Sequence, residues 1–565
     1  MSTHWKDLVA EKRARRAAAI PKDWIVTPPP ETVLDVTNFP DECGLLTSQE
    51  KEITNTVDVA VLLANLATAK WSSVEVTTAF YKRAIIAQQL VNCLTEIFVE
   101  RALARAAELD AHLKATGKVL GPLHGLPISL KDQFRIKGLE TTMGYVSWIG
   151  KYAEEDSVLV QILYDAGAVP FVQTNVPQTL MWPETYNKIY GRTLNPHNRA
   201  LTSGGSSGGE GALVGLKGSP LGIGSDIGGS IRIPSSFNGI YGLRSSYGRI
   251  PYAGAVNSCE GQESILSVFG PLSHSLNGIK LFMQAVAASQ PWLRDPLARR
   301  APWNDDLYQL KPYGGGKQLC FGIMWDDRQV VPHPPITLAL ELTKAALLAA
   351  GHKVIEWKPY KHKEILLNVY KIWTAGADQD YKKVTSATGE PILNSMDLSE
   401  EEITSELNAF LPPIENVSAY DMWQVHLEKR THREEYLKRW NETVNVTGTG
   451  RPMDAIIAPV SAGASAPHGF NKSAAYTGIW NALDYPACAF PVGKVDPARD
   501  VKRSRHDFLG DSDREHYELY EPHKYANAPT GLQLVGRCQE EEAVIAMTGI
   551  VADALKRQQG GAARL

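Results

Sequence analysis

Little in this sequence is in excess. Lysine and arginine number 58 against 62 aspartates and glutamates, a formal net charge of −4. There is thus no basic surface suited to nucleic acid and no imbalance pointing to a polyanionic partner. Six cysteines, Cys43, Cys93, Cys259, Cys320, Cys488 and Cys538, stand without a CxxC pair in a chain of 565 residues. A chain of that length does not depend on disulfide staples, so they are read as reduced thiols. No run reaches the ~18 apolar residues of a membrane span; the nearest, Val59 to Ala69, is interrupted. Met1 to Ile20 carry Lys6, Lys12, Arg13, Arg15 and Arg16 but no apolar stretch, which excludes a secretory signal, and Asp7 and Glu11 count against a mitochondrial presequence. A soluble, cytoplasmic protein is expected, in which the sequons at Asn416, Asn441, Asn445 and Asn471 carry no meaning.

What is present is a globular composition, 44% hydrophobic and 21% charged, with enough apolar side chains for a large core. Ser72-Ser73-Val74-Glu75 is a capping box that opens a helix with Val76, Phe80 and Ala84 on one stripe. An alanine-rich helix follows from Glu100 to about Thr116. Short apolar runs at Leu126–Leu130, Ala168–Val172, Leu319–Met324, His352–Trp357, Ala455–Val460 and Leu532–Val535 predict strands. A helical pattern over Ile336–Ala350 joins two of them into a βαβ unit, which implies parallel pairing and an α/β class. Residues 1–57 read as a charged helical arm, 58–556 as the main domain and 557–565 as a tail. Within the domain, about 361–440 reads as a helical insertion and about 496–525 as a charged excursion.

Ser203 to Gly248 hold 14 glycines and 10 serines in 46 residues, a density that signals close backbone approach rather than a linker, because Leu213, Val214, Leu221, Ile223, Ile227 and Ile231 are interleaved. No glycine here precedes Lys-Ser or Lys-Thr, so a phosphate loop is excluded, and Gly222-Ile-Gly224-Ser-Asp-Ile-Gly228 is out of register for a dinucleotide fingerprint. Gly204-Gly205-Ser206-Ser207-Gly208 satisfies a GxSxG elbow, with His468, His506, His516 and His523 downstream. That elbow needs a preceding strand, and Asn195 to Ser203 read as a polar loop.

Gly204-Gly205-Ser206-Ser207-Gly208-Gly209 is paired with Ser225-Asp226-Ile227-Gly228-Gly229-Ser230-Ile231-Arg232, and upstream stands Gly125-Leu-Pro-Ile-Ser-Leu-Lys131-Asp132. On these segments the chain resembles the amidase signature family, most of all the fungal acetamidases and general amidases, and is similar to fatty-acid amide hydrolases too. The resemblance runs from about Val59 to Gly536 and includes Phe171–Gln178, Asn195-Pro196, Tyr476–Asn481 and Gly531–Gly536. It implies a single three-layer α/β/α domain with a mixed, largely parallel central sheet. It also implies Ser230 as nucleophile, Ser206 as a bridging serine held by a cis peptide, and Lys131 as base, with no metal or organic cofactor.

The chemistry accounts for each assignment. A serine hydroxyl needs a base, no histidine occurs in these motifs, and a lysine serves only when neutral. Its ordinary pKa of about 10.4 must fall toward neutrality, at a cost of about 4 kcal/mol, which burial without a tight carboxylate partner can impose. The amides of Ile227, Gly228, Gly229 and Ser230 can form a concave nest for an oxyanion. Ser207, Asp226 and Arg232 are expected to fix the loops. Leu180, Met181 and Trp182, with Tyr145 and Trp480, are candidate walls for the substrate, either as recognition or as plain packing. Small aliphatic or aryl carboxamides are the expected substrates, with alkyl carbamates a further class, and a homo-oligomer, often a dimer in the family, the expected assembly. The glutaminase subunit of an amidotransferase carries the same signature and is the alternative. The last residues, Ala563-Arg564-Leu565, resemble a degenerate peroxisomal Ser-Lys-Leu signal, which leaves a peroxisomal address open beside the cytoplasmic one.

Overall fold

The computed structural model describes residues 5–393, 395–396 and 417–562. Part of the helical insertion, Asn416 and the tripeptide Ala563-Arg564-Leu565 lie outside the described residues. Eleven strands form one sheet: β1 (Leu94–Ile97), β2 (Pro127–Lys131), β3 (Val169–Thr174), β4 (Leu221–Asp226), β5 (Tyr241–Arg244), β6 (Val268–Ser273), β7 (Cys320–Ile323), β8 (Lys353–Glu356), β9 (Ala455–Pro459), β10 (Ala487–Lys494) and β11 (Pro529–Val535). Their spatial order is β1-β3-β2-β4-β6-β5-β10-β11-β9-β7-β8.

The sheet is mixed, with helices on both faces, which is the expected class. The expectation of a largely parallel sheet is corrected. Four neighbouring pairs are parallel, β3 with β2, β2 with β4, β9 with β7 and β7 with β8, and the remaining six are antiparallel. Parallel pairing occupies the flanks, where a helix such as Pro334–Ala349 carries the chain from β7 back to β8. The antiparallel centre contains β4, β5, β6 and β10, whose glycines and prolines (Gly222, Gly224, Gly242, Gly270, Pro271, Pro491, Gly493) weaken the strand pattern in the sequence.

Alternation along the strands sorts the two faces. Ile128 and Leu130 of β2, Ile223 of β4 and Leu532 and Leu534 of β11 enter the main apolar core, to which the C-terminal helix Glu541–Ala562 contributes Val544 and Met547. Ser129, Lys131 and Gly222 have the opposite parity, toward the helix Gly208–Gly215. Glycine is required on β4 by contact: a Cβ on Gly222 would collide with Glu210 Oε2, and one on Gly224 would lie 2.7 Å from Ser207 Oγ.

The helix Trp5–Ala18 docks through Val9, which packs with Val146, Ile189 and Tyr190, and through buried Lys12, which pairs with Glu96 and Glu140. Residues 362–442 carry the helices His362–Thr374, Ala377–Thr385 and Ala419–Glu442. Within the charged excursion Asp511–Leu519 is helical, and His516 stacks on His333 at 3.7 Å. No helix among the described residues is long and apolar enough to cross a membrane.

Candidate active site

Lys131 is the last residue of β2 and is completely buried. Its Nζ lies 2.7 Å from Ser206 Oγ and 2.8 Å from Ser225 Oγ. The adjacent Asp132 does not compensate it, because that carboxylate accepts bonds from the Thr142 N–H (3.1 Å) and hydroxyl (2.7 Å). Burial therefore dominates and lowers the lysine to about 7, against the opposing pull of Asp226 and Glu210. Glu210 sits on the same face, its carboxyl oxygens 2.6 Å from Ser129 Oγ and 2.8 Å from Thr174 Oγ1. Burial pushes it up to about 8.

Two glycine-serine segments meet beside the lysine. The first reaches Ser206 through a cis Gly205–Ser206 peptide. Ser207 joins it to the second: its N–H donates to Ser230 O at 3.2 Å, and its hydroxyl donates to Ser225 O and accepts from Ser225 N–H, both at 3.3 Å. The helix Gly208–Gly215 then leaves over β4.

The second segment is held by a buried ion pair. Asp226 Oδ1 accepts from Arg232 Nη2 (2.9 Å), Asn481 Nδ2 (2.9 Å) and Gly229 N–H (2.8 Å), and Oδ2 accepts from Arg232 Nε (3.0 Å) and Ile231 N–H (3.2 Å). Burial alone would raise this carboxyl, but the guanidinium overrides it and holds Asp226 at about 2. Arg232 also donates to Thr477 O (3.1 Å), Gln533 Oε1 (3.0 Å) and Asn481 Oδ1 (2.6 Å). Gly229 has φ +137°, and a side chain there would strike Thr477. The Tyr476–Asn481 and Gly531–Gly536 segments of the sequence thus converge on the loop that carries Ser230.

The predicted nest of four amides is corrected on one point. The Gly229 N–H is directed at Asp226. The N–H groups of Ile227, Gly228 and Ser230 have no acceptor among the described residues, so three of the four remain open.

Ser230 opens on a small cavity of about 30 Å³ lined by Leu180, Met181, Trp182, Pro183, Gly205, Ile227, Gly228, Ile233, Trp373 and Ala474. Leu180, Met181 and Trp182 are where the sequence predicted substrate walls. Tyr145 and Trp480 do not line the cavity. Tyr145 is buried behind Leu180, with Met143 and Val176, and shares a 3.0 Å hydrogen bond with Ser258. Trp480 is fully buried edge-on against His362 and Tyr436.

The rival elbow is not supported by the geometry. Asn198–Thr202, read as loop, is a short strand paired with Leu194–Asn195 outside the main sheet. Of the downstream histidines, His468 Nε2 lies 3.1 Å from Arg199 O, and His516 is stacked on His333. Sequence reasoning missed Ser225, Glu210, Thr477, Gln533, Ile233 and Trp373. Ser225, Thr477 and Gln533 stand inside the quoted motifs, where their neighbours drew the attention. Trp373, on the helix His362–Thr374, carries no local signal.

A buried lysine hydrogen-bonded to two serine hydroxyls, beside an apolar pocket, fits the active site of a hydrolase. The chain matches the Amidase family over residues 75–545 and belongs to it, the amidase signature enzymes; it is an amidase. An acetamidase of Emericella nidulans is 44% identical over 553 residues, 97% of each chain. One of Aspergillus oryzae is 43% identical over 97% of this chain and 98% of its own. A solved fatty acid amide hydrolase superposes with a TM-score of 0.89 at 33% identity, covering 98% of this chain and 95% of that one.

Proposed function

We propose that the protein hydrolyses small carboxamides to carboxylate and ammonia, with Ser230 as nucleophile, Ser206 as proton bridge and Lys131 as base. The observation that supports this most is the Lys131 Nζ to Ser206 Oγ distance of 2.7 Å in a buried site where no carboxylate bonds the lysine. Neutral Lys131 takes a proton from Ser206, which takes the proton of Ser230 as Ser230 Oγ attacks the carbonyl carbon. The N–H groups of Ile227, Gly228 and Ser230 receive the negative charge on the carbonyl oxygen. Collapse breaks the C–N bond, and Ser206 returns a proton to the departing amine. Water then cleaves the acyl-enzyme by the same relay and leaves the carboxylate. Ser207, Asp226 and Arg232 act by holding the two loops in register.

The similarity to acetamidases supports short aliphatic amides as the first substrates to try. Ammonia release is measured from acetamide, hexanamide, benzamide, glutamine and ethyl carbamate, with Ser230→Ala beside the wild type. We expect acetamide turnover, and a loss of about 10⁴-fold or more in the variant. Equal rates in the two proteins would remove Ser230 from the mechanism. Release from glutamine alone would favour a glutaminase that serves a partner subunit.

A further inference from the structure

We propose that Trp373 closes the acyl end of the cavity and restricts the substrate to short acyl chains, an inference that rests on Ser230 as the acyl carrier. The residue lies in the last turn of the helix His362–Thr374, is 3% exposed, and lines the same cavity as Ser230. Its six-membered ring faces the nucleophile loop: a Cβ on Gly228 would lie 2.5 Å from Cη2 and 3.1 Å from Cζ2. On the helix Ala475–Leu483, a Cβ on Gly478 would lie 3.6 Å from the same Cη2. The indole thus lies against the Gly228 backbone, which approaches it only because that position is glycine, and a Cβ on Gly478 would be in ordinary van der Waals contact with its other side.

Packing fixes the ring. Trp373 shares a core cluster with Val369, Ile372 and Ile479, while its Nε1 is buried without a hydrogen-bond partner among the described residues. Retreat would require moving the helix rather than turning one side chain. Facing the same space is Leu180, which with Thr179 adopts left-handed backbone, φ +61° and +73°. Such dihedrals in non-glycine residues are costly and persist where the surroundings hold them.

The chemistry assigns this end to the acyl group. The departing amine must meet Ser206, which faces Lys131, whereas the side chains of Leu180, Ile227, Ile233 and Trp373 in the cavity beyond Ser230 offer no acceptor to an amine's N–H groups. An alkyl chain is what such a surface accepts. The water-accessible volume of about 30 Å³ is roughly tenfold below the ~300–1,000 Å³ of pockets that enclose drug-sized ligands. It suits a few heavy atoms and not an extended chain.

The test is kcat/KM for acetamide, propionamide, butyramide and hexanamide with wild type, Trp373→Leu and Trp373→Ala. Wild type is expected to fall about 100-fold or more from its best substrate to hexanamide, since each unaccommodated methylene costs about tenfold or more. The hexanamide-to-acetamide ratio is expected to rise about 30-fold or more in Trp373→Ala and by an intermediate factor in Trp373→Leu, with the gain in KM for hexanamide. The wild-type series stands whether or not the variants fold. A wild type that cleaves hexanamide within threefold of acetamide overturns the proposal, as does a folded Trp373→Ala whose ratio is unchanged. Both outcomes leave the amidase mechanism standing, whereas a wild type that cleaves none of the four amides overturns that mechanism and this inference together.

Discussion

Two buried cations contact consecutive residues of β4: Lys131 reaches Ser225 and Arg232 reaches Asp226. Both are removed from water and burial lowers the pKa of both, yet only the lysine is brought near neutrality. Arg232 has a bidentate carboxylate, Asn481, Gln533 and a backbone carbonyl, so its charge is fully met. Lys131 has two hydroxyls and no bonded carboxylate, so its proton is the cheapest thing to lose. Partners, not depth, decide whether a buried cation keeps its charge or gives up its proton near neutral pH.

The largest effect that can break this comparison is on activity. Lys131→Met keeps the apolar stem and deletes the amine, and kcat/KM is expected to fall about 10⁴-fold, as for loss of the base in other serine relays. The same change is expected to stabilise the fold. The native site lowers the lysine from its ordinary value to about 7, so the unfolded chain binds the extra proton between those two values. The resulting penalty is greatest at and below pH 7 and fades as pH rises toward about 10.5. Thermal unfolding at pH 7 and pH 10 should show the gain in the first and little in the second. A Lys131→Met protein that is less stable at both would mean that the lysine is held as an ammonium.

Asp226→Asn sharpens the other half. It leaves a wholly buried guanidinium without its carboxylate, which costs about 3–5 kcal/mol. The loop amides of Gly229 and Ile231 also lose a charged acceptor. Urea unfolding measures the loss, and a change below about 1 kcal/mol would show that the pair is not what fastens the loop that carries Ser230.

How much of this was legible follows from how local each feature is. The capping box at Ser72 and Glu75 was readable because its two bonds join residues three apart, 3.0 and 2.8 Å in the structure. Lys131 was readable because a lysine ending an apolar strand inside a long motif is a strong juxtaposition. Strand β4 was hidden by Gly222 and Gly224, whose absent side chains make room for Glu210 and Ser207, from a helix and the residue before it that only the tertiary fold places there. The Gly229 amide could not be assigned from sequence because its direction depends on a backbone angle of +137°. In the helix Ala475–Leu483 every residue is buried, so no periodicity distinguishes the side facing the Ser230 loop, where Thr477 reaches Gly228 O at 2.5 Å, from the side of Trp480. Trp373 comes from more than 140 residues beyond Ser230, in a stretch without a motif.

The smallest effect tests the lysine most directly. If Lys131 must be neutral to act, kcat/KM rises with pH through about 7 and is flat above it. Below that point it loses about tenfold per pH unit, near 100-fold by pH 5. Two carboxyl groups, Asp226 and Glu210, oppose the lowering by favouring the ammonium. Removing one should therefore move the limb to lower pH. Glu210→Gln is the suitable variant, because its amide can still bond Ser129 and Thr174; burial already holds Glu210 up at about 8, so only the fraction of its charge present over the limb is lost. Its limb should lie a fraction of a pH unit below that of wild type, with the plateau reduced less than in Lys131→Met. A limb that moves upward would mean that Glu210 acts on the lysine chiefly by excluding water, and a limb absent from pH 5 to 8 would place the base elsewhere than on Lys131.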